Sequence, residues 1–183
     1  MADISTKKRV NPKYPLLVTY QRGKRIRKML VPNQHAFKTA FLRDHGCSIM
    51  AEYVALQWLG CKEYKPYGLM KLHKQKTKAE VKTKVTVKGV AQLLGELVPL
   101  SFILYRSGPT LKRIKSQLDA GNIVLLEEGD PIHTVVLIRA EGKYWRITNG
   151  KCEAVDIEKE AKRATNNPKY AGMVVVGDLG FNE

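Results

Sequence analysis

Cysteine is scarce in this sequence, and long apolar runs are missing. The 183 residues include three cysteines, Cys47, Cys61 and Cys152, too few and too scattered for a disulfide framework. The first twenty residues hold no apolar run long enough for a signal peptide, and no stretch approaches the roughly eighteen apolar residues of a membrane helix. We therefore expect a soluble, cytoplasmic protein with at least one free thiol.

Glycine-rich phosphate loops, nucleotide fingerprints and internal repeats are also missing, so no cofactor is implied. With 44% hydrophobic residues, the chain can bury one full core. We expect a single domain over residues 1–183, with residues 1–12 loose. We also expect no metal, because the spacings of the possible zinc ligands match no ordinary zinc module: these ligands are His45, Cys47, Cys61 and His73.

Acidic residues are scarce in the first half of the chain. Residues 1–90 carry 20 lysines and arginines against five acids, whereas residues 91–183 carry twelve of each, so the first half holds the whole net charge of +15. This asymmetry favours an acidic partner, which could be an acidic peptide, nucleic acid or an anionic membrane surface. A solvated lysine-rich surface without a partner is the alternative.

The lysines are densest between Cys61 and Lys88, where they alternate with threonine and valine in KTKVTVK. This composition indicates a basic lid or insertion over residues 61–88, or a short edge strand protected by its lysines.

The rest of the chain mixes strand and helix signals, which predicts an α+β fold. A hairpin is expected over Tyr14–Val31, turning near Gly23 and ending before Pro32. A helix capped by Thr110 should stop at Gly121 and pass directly into a buried strand. The remaining elements are a helix over residues 90–98 and a strand over residues 101–106.

One stretch, HGCSIMAEYVALQWLG from His45 to Gly60, joins a helix to a possible nucleophile. Its apolar residues have the three-and-four spacing of a buried helix face, and Gly60 stands where a helix would stop. Cys47 then lies at the helix N-terminus, where unpaired N–H groups and the helix dipole favour the thiolate. Either Asp44 or the Gly46–Cys47 step begins this helix.

A second hairpin supplies the groups that a nucleophilic thiol requires. HTVVLIR and KYWRITN flank residues 140–142, and a three-residue loop with a left-handed Gly142 would connect them. That loop predicts a ladder in which a histidine lies opposite an asparagine; a slip of one residue would turn one of them to the other face. The predicted pairs are Arg139 with Lys143, Leu137 with Trp145, Val135 with Ile147, and His133 with Asn149.

Together, Cys47, His133 and Asn149 fit a Cys-His-Asn triad. The imidazole takes the thiol proton, and the amide oxygen accepts from the far ring N–H and so holds the ring. The backbone N–H of Cys47 can donate to an oxyanion. The alternatives are a structural buried cysteine, a strand-end histidine and an Asn-Gly turn at residues 149–150.

The chain resembles the C39-type and C39-like cysteine peptidases of the papain-like fold. The resemblance covers roughly residues 42–177 and lies in the order of five motifs: GCSIMAEYVALQWLG, VKGVAQLLGEL, TLKRIKSQLDAGNIVLL, PIHTVVLIRAEGKYWRITNG and GMVVV. It implies a central helix with an N-terminal cysteine packed on an antiparallel sheet. It also implies Cys47 as nucleophile, His133 as general base and Asn149 as orienting residue.

Two positions depart from that family. Its usual oxyanion glutamine, six residues before the nucleophile, is Phe41 here, and we expect Gln34 to take this role. Its usual Asp-Pro after the last catalytic strand is Asn149-Gly150. We expect a cysteine hydrolase that cleaves a peptide or isopeptide bond, with acyl transfer or deamidation as variants of the same chemistry. An inactive papain-like domain whose basic half binds an acidic partner or nucleic acid is the alternative.

Overall fold

The computed structural model describes residues 1–77, 85–129, 132–165 and 172–177. This part of the chain has a mixed α+β fold with six helices and two antiparallel sheets. The helices are α1 Ala40–His45, α2 Cys47–Trp58, α3 Pro66–Thr77, α4 Val87–Leu97, α5 Leu111–Asp119 and α6 Ile157–Thr165. None of the helices described is long and apolar enough to cross a bilayer.

The small sheet has three strands in the order β1-β2-β3. Its strands are β1 Ala2–Lys8, β2 Leu16–Arg22 and β3 Arg25–Val31. The large sheet has six strands in the order β4-β9-β5-β6-β7-β8. Its strands are β4 Phe102–Ser107, β5 Ile123–Glu128, β6 His133–Ala140, β7 Lys143–Thr148, β8 Lys151–Val155 and β9 Gly172–Gly177.

The N-terminal segment corrects one prediction and the hairpin after it confirms another. Residues 1–12 were expected to be loose, but β1 pairs with β2 along its whole length. The expectation was wrong because it followed the polar and basic composition of the segment, whereas its one large apolar strand residue, Ile4, is buried against the core. The hairpin of β2 and β3 is confirmed, with Gly23 left-handed at a φ of 58°.

Helix α2 is buried on all sides. All twelve of its residues are buried, although the sequence indicated only one apolar face. The helix packs against β3 of the small sheet, against β5, β6 and β7 of the large sheet, and against α1, α3 and α4. It ends as predicted at Gly60, where a φ of 84° lets the N–H of Cys61 reach the Leu56 carbonyl at 2.8 Å.

Two polar side chains attach α2 to the edge of the small sheet. The Gln57 amide donates to the Leu30 carbonyl at 3.1 Å and accepts from the Leu30 N–H at 2.8 Å, as a neighbouring strand would. The Arg27 guanidinium donates to the Trp58 carbonyl at 2.8 Å, and this places a cation at the negative end of the helix. These contacts fix the position of α2 along β3.

Where the structure describes the segment 61–88, it forms helix and not the edge strand given as an alternative; the basic lid or insertion stays a prediction. Residues 66–77 form α3, whose inner face buries Leu69, Met70 and His73 while its lysines are exposed. The lysine-rich composition concealed this four-residue apolar spacing. Part of the predicted element, residues 78–84, lies outside the described residues. The next predicted helix is confirmed as α4, which begins earlier than expected because Thr86 caps it.

The helix-glycine-strand unit is confirmed. Thr110 accepts from the N–H of Arg113, Gly121 is left-handed with a φ of 85°, and all six residues of β5 are buried. Helices α5 and α6 form a second apolar cluster on the face of the large sheet that lies away from α2. Strand β4 matches the strand predicted at residues 101–106.

The predicted register of β6 and β7 is wrong by one residue. The loop has two residues, Glu141 and Gly142, both left-handed with φ values of 54° and 71°, so Ala140 pairs with Lys143 and Val136 with Ile147. Contacts to β1 hold Glu141 in this unusual conformation, because its N–H donates to the Ala2 carbonyl at 2.7 Å. His133 therefore does not face Asn149; counting along the ladder brings Thr134 level with Asn149.

The attachment of α2 generates a stability prediction. Replacing Gln57 with leucine keeps the volume but leaves the Leu30 N–H and C=O without their partner, which should lower the free energy of unfolding by about 2–3 kcal/mol. The matched control is Gln92→Leu on the exposed side of α4, where a change within about 0.5 kcal/mol is expected. Urea unfolding measures both; equal effects would show that the Gln57 amide is not a structural attachment.

Candidate active site

A narrow cavity lies between the N-terminus of α2 and the strands β3, β6 and β7. It brings the three predicted catalytic residues, Cys47, His133 and Asn149, into one lining. Thr134 and Thr148 add two hydroxyls, and the remaining walls are apolar: Val31, Pro32, Met50, Ala51, Val54, Val136 and Ile147.

Gly46 sets the position of Cys47. It ends α1 and precedes α2, and any β-carbon on it would overlap the Leu42 carbonyl. Only glycine therefore allows the two helices to join so tightly. The junction places Cys47 in the first turn of α2, whose N–H groups have no acceptor within the helix. Asp44, the other predicted start, lies inside α1 and pairs with Arg43 at 2.9 Å.

The Cys47 thiol lies among buried hydroxyls. Its side chain is 6% exposed, and its sulfur is 3.8 Å from the Thr134 hydroxyl on β6. The Ser48 hydroxyl lies 2.7 Å from the same Thr134 oxygen. The large sheet thus supplies the sulfur with a polar contact, the hydroxyl of Thr134.

The His133 ring is held by Thr148. Its Nε2 atom lies 2.6 Å from the Thr148 hydroxyl, at the end of β7. A ring held through Nε2 keeps Nδ1 as the nitrogen that can exchange a proton with a thiol. A base that is oriented through one ring nitrogen, with the other available for proton transfer, is what nucleophilic catalysis by a thiol requires.

Asn149 occupies the turn between β7 and β8. It is left-handed with a φ of 43°, and Gly150 follows with a φ of 75°, as in an Asn-Gly hairpin turn. The Gly150 N–H donates to the Pro32 carbonyl at 2.9 Å, so this turn also joins the large sheet to the end of β3. The turn alone accounts for both residue types, although Asn149 does line the cavity.

Gln34 is buried beside the α1–α2 junction and is not part of the cavity lining. It begins a single 3-10 turn, Gln34–Ala36, and its Nε2 atom donates to the Arg43 carbonyl at 3.2 Å. An oxyanion role for Gln34 stays a prediction and would use the second N–H of its amide, since the bond to Arg43 uses one of the two.

The thiol of Cys152 and the possible zinc ligand His73 are not part of the cavity lining. Cys152 is half-buried, and burial, with the nearby Glu153 carboxylate, raises the pKa of its thiol to about 12. All three cysteines are free thiols. His73 is bonded to Glu52 at 2.7 Å, and the described residues contain no group of three side chains that could hold a metal ion.

No sequence pattern predicts the buried pair of Glu52 and His73. Glu52 is fully buried in α2, and burial raises the pKa of its carboxyl while the His73 ring opposes that shift. The pair joins α2 to α3. It supports the helix that carries Cys47 from the side of α3, but it does not line the cavity.

No protein-family model matches the chain, and no curated protein matches it significantly. The case for a function therefore depends on the geometry of the cavity. Sequence reasoning missed the three hydroxyls, Ser48, Thr134 and Thr148. Ser48 and Thr134 directly follow the predicted site residues Cys47 and His133, and Thr148 directly precedes Asn149. A prediction of a two-residue loop between β6 and β7 would have placed Thr134 opposite Asn149.

The site generates a prediction about which residue orients His133. Replacing Thr148 with valine removes one hydrogen bond of about 1 kcal/mol, so Cys47 alkylation at pH 6 should slow about fivefold. Replacing Asn149 with glycine preserves the left-handed turn and should change the rate by less than about twofold. Timed labelling with iodoacetamide in a Cys61→Ser background measures both variants. The opposite ranking would favour Asn149 as the orienting residue.

Proposed function

We propose that this protein is a papain-like cysteine hydrolase that cleaves a peptide or isopeptide bond. The observation that carries the proposal is the shared cavity of Cys47 and His133, with the histidine ring held through Nε2. A buried thiol at a helix N-terminus beside an oriented imidazole is the arrangement that activates cysteine as a nucleophile.

The reaction begins with transfer of the Cys47 thiol proton to Nδ1 of His133. The thiolate attacks the substrate carbonyl carbon, and the tetrahedral intermediate collapses to a thioester as the amine leaves with the proton from His133. A water molecule, deprotonated by His133, then hydrolyses the thioester and restores the thiol. The backbone N–H of Cys47 is one donor to the oxyanion, and Gln34 is the proposed second donor.

Acyl transfer and deamidation use the same thioester and differ only in the group that enters or leaves. An amine that replaces water gives a new amide, and a substrate carboxamide loses ammonia. The mass of the product distinguishes the three reactions. Hydrolysis of a peptide or isopeptide bond is preferred to acyl transfer because it requires only water as the second reactant; deamidation shares that requirement and is recognised by the release of ammonia.

Activation of Cys47 generates a prediction that needs no known substrate. In a Cys61→Ser background, the pH midpoint of Cys47 alkylation should lie below the free-cysteine value of about 8.5, because the imidazolium stabilises the thiolate. His133→Ala should move the midpoint back towards 8.5. Cys152 serves as an internal comparison, since burial raises the pKa of its thiol to about 12 and its labelling should begin at a higher pH than that of Cys47.

A matching activity test uses a mixture of peptides and mass spectrometry of the new termini. The wild-type protein should generate cleavage products, and Cys47→Ala should lose turnover by at least about a thousandfold. Full turnover by Cys47→Ala, or a Cys47 midpoint at or above that of free cysteine, would overturn the proposed function.

A second candidate function is a binding module for an acidic partner. All eleven lysines within residues 1–77 are exposed, whereas two of the four acids there are occupied by Arg43 and His73. On α3, Tyr67 and Lys71 stack with 4.9 Å between the ammonium and the ring centroid, on the outward face of the helix. Lys76 pairs with Glu96, but the exposed lysines of residues 1–77 still outnumber the acids there, and this excess positive charge suits an acidic protein segment or nucleic acid.

A salt titration tests the binding module separately from catalysis. Binding of a labelled single-stranded oligonucleotide or a poly-glutamate peptide should weaken steeply as salt rises from 50 to 200 mM, roughly in proportion to the number of lysines engaged. Binding that survives Cys47→Ala with the same salt slope would support this candidate. Absence of binding to both probes at 50 mM salt would contradict it.

A further inference from the structure

Three buried side chains form a polar cluster at the start of α2. Cys47, Ser48 and Thr134 are 6%, 0% and 2% exposed. The Thr134 oxygen lies 2.7 Å from the Ser48 hydroxyl and 3.8 Å from the Cys47 sulfur, so Thr134 stands between the other two. Solvent has little access to any of them, and their hydrogen atoms must therefore find acceptors within the protein.

Thr134 and His133 are successive residues at the start of β6, and both line the cavity of Cys47. Thr134 belongs to the face of β6 that packs on α2, as its neighbour Val136 does. His133 begins the same strand and is held by Thr148. Two successive residues of β6 therefore line the cavity of Cys47 with different groups, the first an imidazole and the second a hydroxyl.

The charge on the sulfur decides which form of Cys47 this cluster favours. When the thiol proton has passed to His133, Ser48 can donate to Thr134 and Thr134 can donate to the sulfur. A thiol sulfur is a weak acceptor, whereas a hydrogen bond to an ionised acceptor is roughly twice as strong as a neutral one. The same two hydroxyls therefore stabilise the thiolate more than the thiol.

We propose that Ser48 and Thr134 form a hydroxyl relay that stabilises the Cys47 thiolate. Both O–H bonds stay intact, and the hydroxyls only change direction when the thiol proton passes to Nδ1 of His133. Thr134 is a positioning residue that contacts the nucleophile, and Ser48 acts through Thr134. The inference rests on the proposed function and deepens it, because it adds a second source of thiolate stabilisation beside the imidazole.

The relay is tested through the ionisation of Cys47 and not through turnover. In the Cys61→Ser background, iodoacetamide labelling between pH 4 and pH 10 gives the pH midpoint for each variant. Thr134→Val keeps the shape and removes the hydroxyl; we expect the midpoint to rise by about one unit, which is a tenfold slower reaction at pH values below both midpoints. Ser48→Ala should shift it in the same direction by less.

Thr134→Ser is the rescue variant, since it retains the hydroxyl, and its midpoint should stay close to that of the wild type. Thermal unfolding of each variant establishes that it is folded at the labelling temperature. If Thr134→Val does not fold, the comparison of Ser48→Ala with Thr134→Ser decides the question. A merely structural role would change the unfolding temperature but would leave the midpoint where it was.

The possible failures are distinguishable. A wild-type midpoint at or above the free-cysteine value overturns both the proposed function and the relay. A low wild-type midpoint that depends on His133 but does not move in Thr134→Val or Ser48→Ala overturns the relay alone. An equal shift in Thr134→Val and Thr134→Ser also overturns it, because the effect would then follow from packing and not from the hydroxyl.

Discussion

The complete burial of α2 is the constraint on which the rest of the structure depends. A helix with twelve buried residues in succession must be covered on every side. The small sheet, the large sheet and three neighbouring helices supply that cover. Polar groups on the helix are matched individually, Gln57 by the Leu30 backbone and Glu52 by His73. Because the helix cannot shift without breaking these contacts, the thiol at its first residue has a fixed position relative to β6 and β7.

Elements with strong local signals could be predicted from the sequence. The stop at Gly60, the cap at Thr110 and the turn at Gly23 depend on residue types whose backbone preferences are clear. Elements whose formation depends on distant contacts could not. Strand β1 exists because β2 and the turn residue Glu141 pair with it, and α3 hides a short apolar face among lysines. The register of β6 and β7 was missed because a left-handed glutamate is unexpected without its contacts to β1.

In the candidate site, too, some residues have a signal in the sequence and others depend on contacts between distant parts of the chain. Residue chemistry and chain order indicated Cys47 and His133, and the structure brings both into one cavity. The hydroxyls of Thr134 and Thr148 carry no sequence signal of their own, since threonine is common in strands. Their importance depends on the one-residue change of register and on the end of β7. Asn149, which the sequence favoured for its amide, is explained equally well by the backbone of its turn.

If the protein is the proposed cysteine hydrolase, Cys47 forms a thioester with its substrate, and this intermediate can be trapped. The wild-type protein is mixed with a peptide pool, quenched with acid after milliseconds to seconds, and its intact mass is measured before and after hydroxylamine treatment. We predict added mass that maps to Cys47, disappears with hydroxylamine and is absent from Cys47→Ala. Peptide turnover with no adduct at Cys47, undiminished in Cys47→Ala, would contradict this account.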